Sequence, residues 1–206
     1  MTVLNADNLQ LWRGDLHVLR GLSLQLTAGQ CLQIMGANGA GKSTLLRALC
    51  GLLPLEDGRI RWRGRDVRED LPGFQRELAY LAHGAALKAD LTPIENLRYG
   101  VGMRRPVTDA TIMATLQQLQ LDHDAQHRLV RQLSAGQQRR VALARVLLLR
   151  CPLWILDEPV ANLDQAGQGL FVHCLDQHLA AGGIAVVATH QLLLPAAARS
   201  SVLELH

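Results

Sequence analysis

Aromatic residues are scarce in this 206-residue chain: three Trp, two Tyr and two Phe, 3% of the total. Base-stacking platforms are therefore few, the formal net charge is only +3, and no block of Lys and Arg forms a stripe. Together these make nucleic acid an unfavoured partner. Arg61, Arg63, Arg65 and Arg68 do cluster, but their alternation with Trp62 reads as one solvated strand face. Long apolar runs are also missing. Arg145 and Arg150 interrupt the best candidate, which falls short of the ~20 residues a span requires. Met1 to Gln10 shows no signal-peptide pattern, so any membrane association is expected to come through a partner. Cysteine is limited to Cys31, Cys50, Cys151 and Cys174, all in apolar surroundings without metal-ligand spacing. They read as buried, reduced thiols, as in a cytosolic protein. Repeats, low-complexity segments and linkers are lacking too, and one domain over residues 1–206 is expected.

Against these absences one stretch stands out. Gly36-Ala37-Asn38-Gly39-Ala40-Gly41-Lys42-Ser43-Thr44 fits G-x-x-x-x-G-K-[ST], the P-loop. A short apolar run, Cys31 to Met35, precedes it, and Leu45, Leu46, Ala48 and Leu49 follow at helical spacing. Glycines let the backbone wrap a phosphate closely, and the N-terminus of the following helix attracts the anion. Lys42 is expected to reach the β- and γ-phosphates and the Ser43 hydroxyl to ligate Mg²⁺. The chain is read as binding a nucleoside triphosphate.

The remaining pattern builds a fold around that loop. Val3–Leu11, His17–Leu26 and Arg59–Arg63 alternate as strands of a small antiparallel layer. Leu78–Ala82, Leu153–Leu156 and Ile184–Ala188 read as strands of a parallel sheet. Helices are expected within Thr92–Gln120, split by Gly100–Pro106, then over Ala135–Leu149 behind the cap Ser134, and over Gln165–Ala181. Strands alternating with helices predict a parallel α/β sheet with right-handed crossovers.

Two further stretches carry chemistry. Leu153-Trp154-Ile155-Leu156 ends in Asp157-Glu158-Pro159, placing two carboxylates at the carboxyl end of a buried strand, where α/β sheets bind ligands. Asp157 is expected to hold Mg²⁺ through its water shell and Glu158 to polarise an attacking water. Leu133-Ser134-Ala135-Gly136-Gln137 opens the long helix. It is either an ordinary cap or an anion site made of a hydroxyl, free N–H groups and a helix dipole.

Taken together, these motifs and their order resemble the nucleotide-binding subunits of ABC transporters over essentially the whole chain. The resemblance implies a P-loop NTPase of ABC type, with a parallel-sheet core, an antiparallel β subdomain and a helical subdomain over roughly 84–150. It assigns Leu133–Gln137 as the signature, Ala161-Asn162-Leu163-Asp164 as the D-loop, His190 as the switch histidine and Trp12 as the adenine-stacking aromatic. It implies a head-to-tail homodimer that binds ATP and Mg²⁺ between the P-loop of one protomer and the signature of the other. Ser134 and Gly136 would touch the γ-phosphate in trans, His190 would contact the γ-phosphate, and Asp164 would help link the two sites. His83 stands where the family carries the Q-loop glutamine; its neutral nitrogen suits Mg²⁺ less than an amide oxygen. That leaves either hydrogen bonding to water or to the coupling segment (the stretch around His83 to Arg98 that in the family abuts the membrane subunit) or a loop that is only a spacer.

No coiled-coil insertion fits between Thr44 and Leu133, and the motif set occurs once, so a single stand-alone subunit is expected. His83, Lys88, Leu91-Thr92, Glu95-Asn96-Leu97-Arg98, Ile60–Gly64 and Leu133–Arg140 resemble the ATPase subunits of cytochrome c maturation systems. Ala82 and Leu87 replace the glycines expected there. This resemblance implies a CcmB-like integral membrane partner at the cytoplasmic face of a bacterial inner membrane, and haem delivery as the purpose of ATP turnover. No haem-ligand set is evident, since His83, His123, His127, His173 and His178 are scattered. An ABC subunit for another solute, or a soluble ABC scaffold for cofactor assembly, shares the same chemistry.

Overall fold

The computed structural model describes residues 2–194 and 199–205. The chain divides into two compact units, one of Met1–Tyr80, Cys151–Glu158 and Leu175–His206, the other of Leu81–Arg150 and Pro159–Cys174.

The first unit holds two sheets. β1 (Thr2–Arg13), β2 (Leu16–Thr27), β4 (Asp57–Trp62) and β5 (Arg65–Asp66) form an antiparallel sheet in the order β2-β1-β4-β5. β3 (Cys31–Gly36), β6 (Leu78–Leu81), β7 (Leu153–Asp157), β8 (Ile184–Ala188) and β9 (Ser200–Leu205) form the other, in the order β6-β7-β8-β3-β9. The pairs β7–β8, β3–β8 and β3–β9 are parallel. β7 and β8 are buried at every residue, which is why they read as continuous apolar runs rather than alternating ones. One apolar core joins the sheets to α1 (Lys42–Leu49), with Leu4, Leu9, Ile34, Leu45, Leu46 and Leu49 wholly buried. α2 (Leu71–Arg76) is capped by Asp70, whose side chain accepts from the Gly73 amide at 2.9 Å.

The second unit is helical. α3 (Pro93–Gly102), α4 (Asp109–Gln118), α5 (His123–His127) and α6 (Ala135–Leu149) bury Leu97, Val101, Ile112, Leu116, Val141 and Ala144. Side-chain caps start these helices: Thr92 and Glu95 form a capping box on α3, while Thr108 caps α4 and Asp122 caps α5. α7 (Gln165–Ala180) begins in this unit and ends in the first, where Gly182 follows it at φ +85°.

Most expected elements match within a residue or two, and all four cysteines are buried and free. Three points differ. α3 runs on through Gly100 to Gly102, so the break between helices falls later than expected. α2, α5 and β5 are too short for their periodicity to stand out in the sequence. The stretch past His190, for which no element is expected above, contains β9, which pairs with β3 from Cys31↔Ser200 to Gly36↔Leu205. No helix among the described residues is long and apolar enough to cross a membrane.

Candidate functional site

In the first unit the chemistry-bearing residues gather at the carboxyl ends of β3, β7 and β8. The chain leaves β3 at Gly36 and enters α1 at Lys42, with Gly41 as N-cap in the left-handed region and no side chain capping the helix. The first-turn amides of α1 are therefore not taken up by a cap, the arrangement that favours an anion. Two glycines are required by close approach as well as by φ. A Cβ on Gly36 (φ +144°) would run into the Leu205 carbonyl of β9, and one on Gly41 (φ +96°) would sit 2.6 Å from Val18 Cγ1 of β2. Ala37, Asn38 and Gly39 are exposed, leaving the loop open, while Ser43 is half-buried and Thr44 buried.

Lys42 is 8% exposed, and its ammonium donates to the carbonyls of Gly36 at 2.7 Å and Ala37 at 3.1 Å. The cation is thus held over the loop by the loop's own carbonyls. Asp157 ends β7 opposite Ala188 of β8 and is 2% exposed. The Glu158 amide donates to the Ala188 carbonyl at 2.9 Å, and the Thr189 amide donates to the Ile34 carbonyl of β3 at 3.0 Å. These bonds tie the two strand ends and the P-loop strand into one frame. Beyond it, Glu158 takes a left-handed φ of +49° and His190 Nε2 lies 3.3 Å from Glu158 Oε1. Thr189 supports the histidine loop, its hydroxyl donating to the Gln191 carbonyl at 2.9 Å.

Trp12 lies at the end of β1, directly opposite His17 on β2. The two rings stack at 4.2 Å with a 4° interplanar angle, and the indole residue remains 47% exposed. Gln10 Oε1 holds His17 Nε2 at 2.8 Å, and the Trp12 amide donates to Glu56 at 3.2 Å. His17 and Gln10 were not singled out by sequence; their signal is only the cross-strand register of the hairpin.

The second unit carries the other set. Ser134 caps α6 in a full capping box: its hydroxyl accepts from the Gln137 amide at 3.1 Å, and Gln137 Oε1 accepts from the Ser134 amide at 2.9 Å. Gly136 faces the Asn162 carbonyl, which a Cβ would approach to 2.6 Å. An open cavity of about 680 Å³ lies here, lined by Ser134, Gly136, Gln137, Arg140, Asn162 and Asp164. Arg140 donates to Asp164 at 2.8 Å and to the Leu119 carbonyl at 2.8 Å. Asp164 also accepts from the Gly167 amide at 2.9 Å in the first turn of α7. The second unit therefore gathers Ser134, Gly136 and Asp164 around one cavity. His83 lies between β6 and α3 with its side chain exposed and its carbonyl accepting from Arg139 at 3.1 Å.

Residues 19–161 match the profile of the ABC transporter family. The chain is 44% identical over 189 residues to the cytochrome c biogenesis ATP-binding export protein CcmA of Methylococcus capsulatus, covering 91% of each. It is 45% identical over 192 residues to CcmA 2 of Cupriavidus metallidurans, covering 93% of this chain and 90% of that relative. Among solved structures, a dimeric bacterial ABC transporter cassette superposes with a TM-score of 0.86 at 23% identity, covering 98% of this chain and 94% of that one. The P-loop, the capped helix at Ser134 and the carboxylates after β7 all fall inside the matched stretch, and the chain belongs to the ABC transporter family as an ATP-hydrolysing subunit.

Proposed function

We propose that this ATPase works as a homodimer energising a CcmB-like integral membrane partner in c-type cytochrome biogenesis, at the step that delivers haem. The observation that carries this reading is the near full-length similarity to relatives named as cytochrome c biogenesis ATP-binding export proteins. The chain would then sit as a peripheral subunit at the cytoplasmic face of a bacterial inner membrane.

Each residue has a role in the proposed turnover. The P-loop amides from Gly36 to Thr44 cradle the phosphates, and Lys42 moves its donors from loop carbonyls to phosphate oxygens. Ser43, in the first turn of α1, and Asp157, at the end of β7, offer hard oxygen donors, a set that fits Mg²⁺. When bound, that ion supplies charge neutralisation at the phosphate oxygens. Glu158 polarises the attacking water; His190, 3.3 Å from it, reaches the γ-phosphate and fixes the carboxylate. The exposed face of Trp12 takes the adenine ring. The cavity at Ser134 and Gly136 receives the γ-phosphate of the partner protomer's nucleotide, and Asp164 sits beside it at the dimer contact. His83 serves by hydrogen bonding within the coupling segment rather than as a metal ligand.

The test is haem-stained c-type cytochrome in cells whose only copy carries Glu158→Gln. Loss of mature c-type cytochromes with normal b-type haem proteins is expected. Normal c-type cytochromes would remove this pathway and leave an ABC ATPase serving another cargo. Co-sedimentation with membranes, lost on deletion of the partner, separates a transporter subunit from a soluble scaffold.

A further inference from the structure

α6 does more than present Ser134 at its N-terminus. Two of its arginines grip the backbone of the His83 segment within the same unit. Arg139, 3% exposed, donates from Nη1 to the carbonyls of Ala82 at 3.0 Å and His83 at 3.1 Å. Arg145 donates from Nη1 to the Ala86 carbonyl at 3.0 Å and from Nη2 to the Ala85 carbonyl at 3.3 Å. Ala86 has φ +49°, a conformation that alanine rarely adopts unaided, so the segment is held in shape from outside. Arg139 differs from Arg145 in reaching a second segment. Its Nε donates to the carbonyl of Pro159 at 3.1 Å, and Pro159 is covalently next to Glu158. A planar guanidinium fixes the relative directions of its N–H bonds, so the carbonyls it joins are held in one geometry; a lysine ammonium on a flexible stem cannot reproduce that.

We propose that Arg139 is a positioning residue for ATP hydrolysis, locking the carbonyl of Pro159, the residue after Glu158, to the carbonyls of Ala82 and His83 through one guanidinium. The inference rests on the reading of Glu158 as the group that polarises water. Glu158 sits in left-handed backbone, where a small change in the following peptide re-aims its carboxylate. Burial alone would make Arg139 a core residue. The joining of the Glu158 neighbour to the segment proposed to couple to the membrane partner makes it a link between chemistry and coupling.

The experiment compares Arg139→Lys and Arg139→Gln with Arg145→Lys in the purified full chain, reading kcat, KM for ATP, ATP affinity and Tm. Arg139→Lys is expected to lower kcat about tenfold, short of the ~10²-fold that a 1 Å misplacement can cost, with KM and ATP affinity held within about twofold. Arg145→Lys is expected to keep kcat while lowering Tm by at least as much. In single-turnover measurements on Glu158→Gln, adding Arg139→Lys should leave the residual rate unchanged, because both act through one carboxylate. Wild-type kcat in Arg139→Lys, an equal kcat loss in Arg145→Lys, or an additive loss on Glu158→Gln overturns the proposal. Failure of both Arg139 variants to fold does so too, since a role in stability alone would then account for the residue. Near-normal turnover in Glu158→Gln itself removes the reading of the base, and Arg139 is then judged on its split between kcat and KM.

Discussion

His190 Nε2 stands 3.3 Å from Glu158 Oε1, bringing together two residues from the ends of neighbouring strands β7 and β8. The glutamate leaves its strand in left-handed backbone, and its amide is tied to the Ala188 carbonyl. The backbone of Glu158 is thus tied to β8, with the imidazole lying beside its carboxylate. Replacing Glu158 by Gln keeps this geometry and removes the basic oxygen. Steady-state ATP hydrolysis should fall by about 10²–10⁴-fold, the range for loss of a general base, with ATP binding retained and a dimer trapped by ATP. ATPase assay with size-exclusion chromatography checks both; near-wild-type turnover would exclude Glu158 as the base.

Gly136 should be as sensitive as the P-loop glycines, for a different reason. Its φ is ordinary, but a Cβ would come within 2.6 Å of the Asn162 carbonyl, a backbone atom that cannot move aside cheaply. Gly136→Ala should therefore push α6 from the loop that carries Asp164 and spoil the cavity at Ser134. The expected phenotype is a folded chain with unchanged ATP affinity and turnover lowered by about tenfold or more, as for a lost transition-state contact. Unchanged turnover would mean that this cavity takes no part in hydrolysis.

How legible this was in the sequence depends on how local the cause is. The P-loop and the cap at Ser134 were readable because their chemistry lies within a few consecutive residues, and Ser134 with Gln137 forms the capping box the spacing suggests. The buried strands β7 and β8 announced themselves as apolar runs. β9 did not. Its six residues form a strand only because β3 offers a free edge across a separation of more than 160 residues in the chain. Arg139 was hidden likewise: in sequence it is one of two arginines after Gln138, and nothing local says that its partners are carbonyls at Ala82, His83 and Pro159. Gly100 misled in the other direction. Glycine weakens a helix by about 1 kcal/mol, but tertiary packing carries α3 through it to Gly102.

Trp12 tests the adenine platform. His17 covers one face of the indole at 4.2 Å, and the residue is 47% exposed. Trp12→Ala should raise KM for ATP by about 2- to 10-fold, corresponding to the 0.5–1.5 kcal/mol of an aromatic stack, and leave kcat unchanged. Quenching of the Trp12 fluorescence on ATP binding, in a chain where Trp62 and Trp154 are replaced by Phe, reports the contact directly. Unchanged KM together with no quenching would place the base elsewhere.

His178 gives the fold a dependence on pH that has nothing to do with catalysis. Its ring stacks on Trp154 at 3.9 Å, and Nε2 lies 3.1 Å from the Ile184 carbonyl. Gly183 is required beside it, since a Cβ there would run into the imidazole. Burial pushes its pKa below the ordinary 6.5, outweighing the hydrogen bonds to the Ile184 and Pro152 carbonyls that raise it. As pH falls through 6.5 the unfolded chain therefore takes up this proton before the folded one does. The contribution to stability is fully present above 6.5 and is lost as pH drops toward the folded value. His178→Phe keeps a ring against Trp154 but cannot titrate. Tm of the wild type should fall more steeply than that of His178→Phe as pH drops below 6.5, where the unfolded histidine protonates first. Parallel Tm curves for the two proteins would show that His178 does not titrate differently in the folded chain.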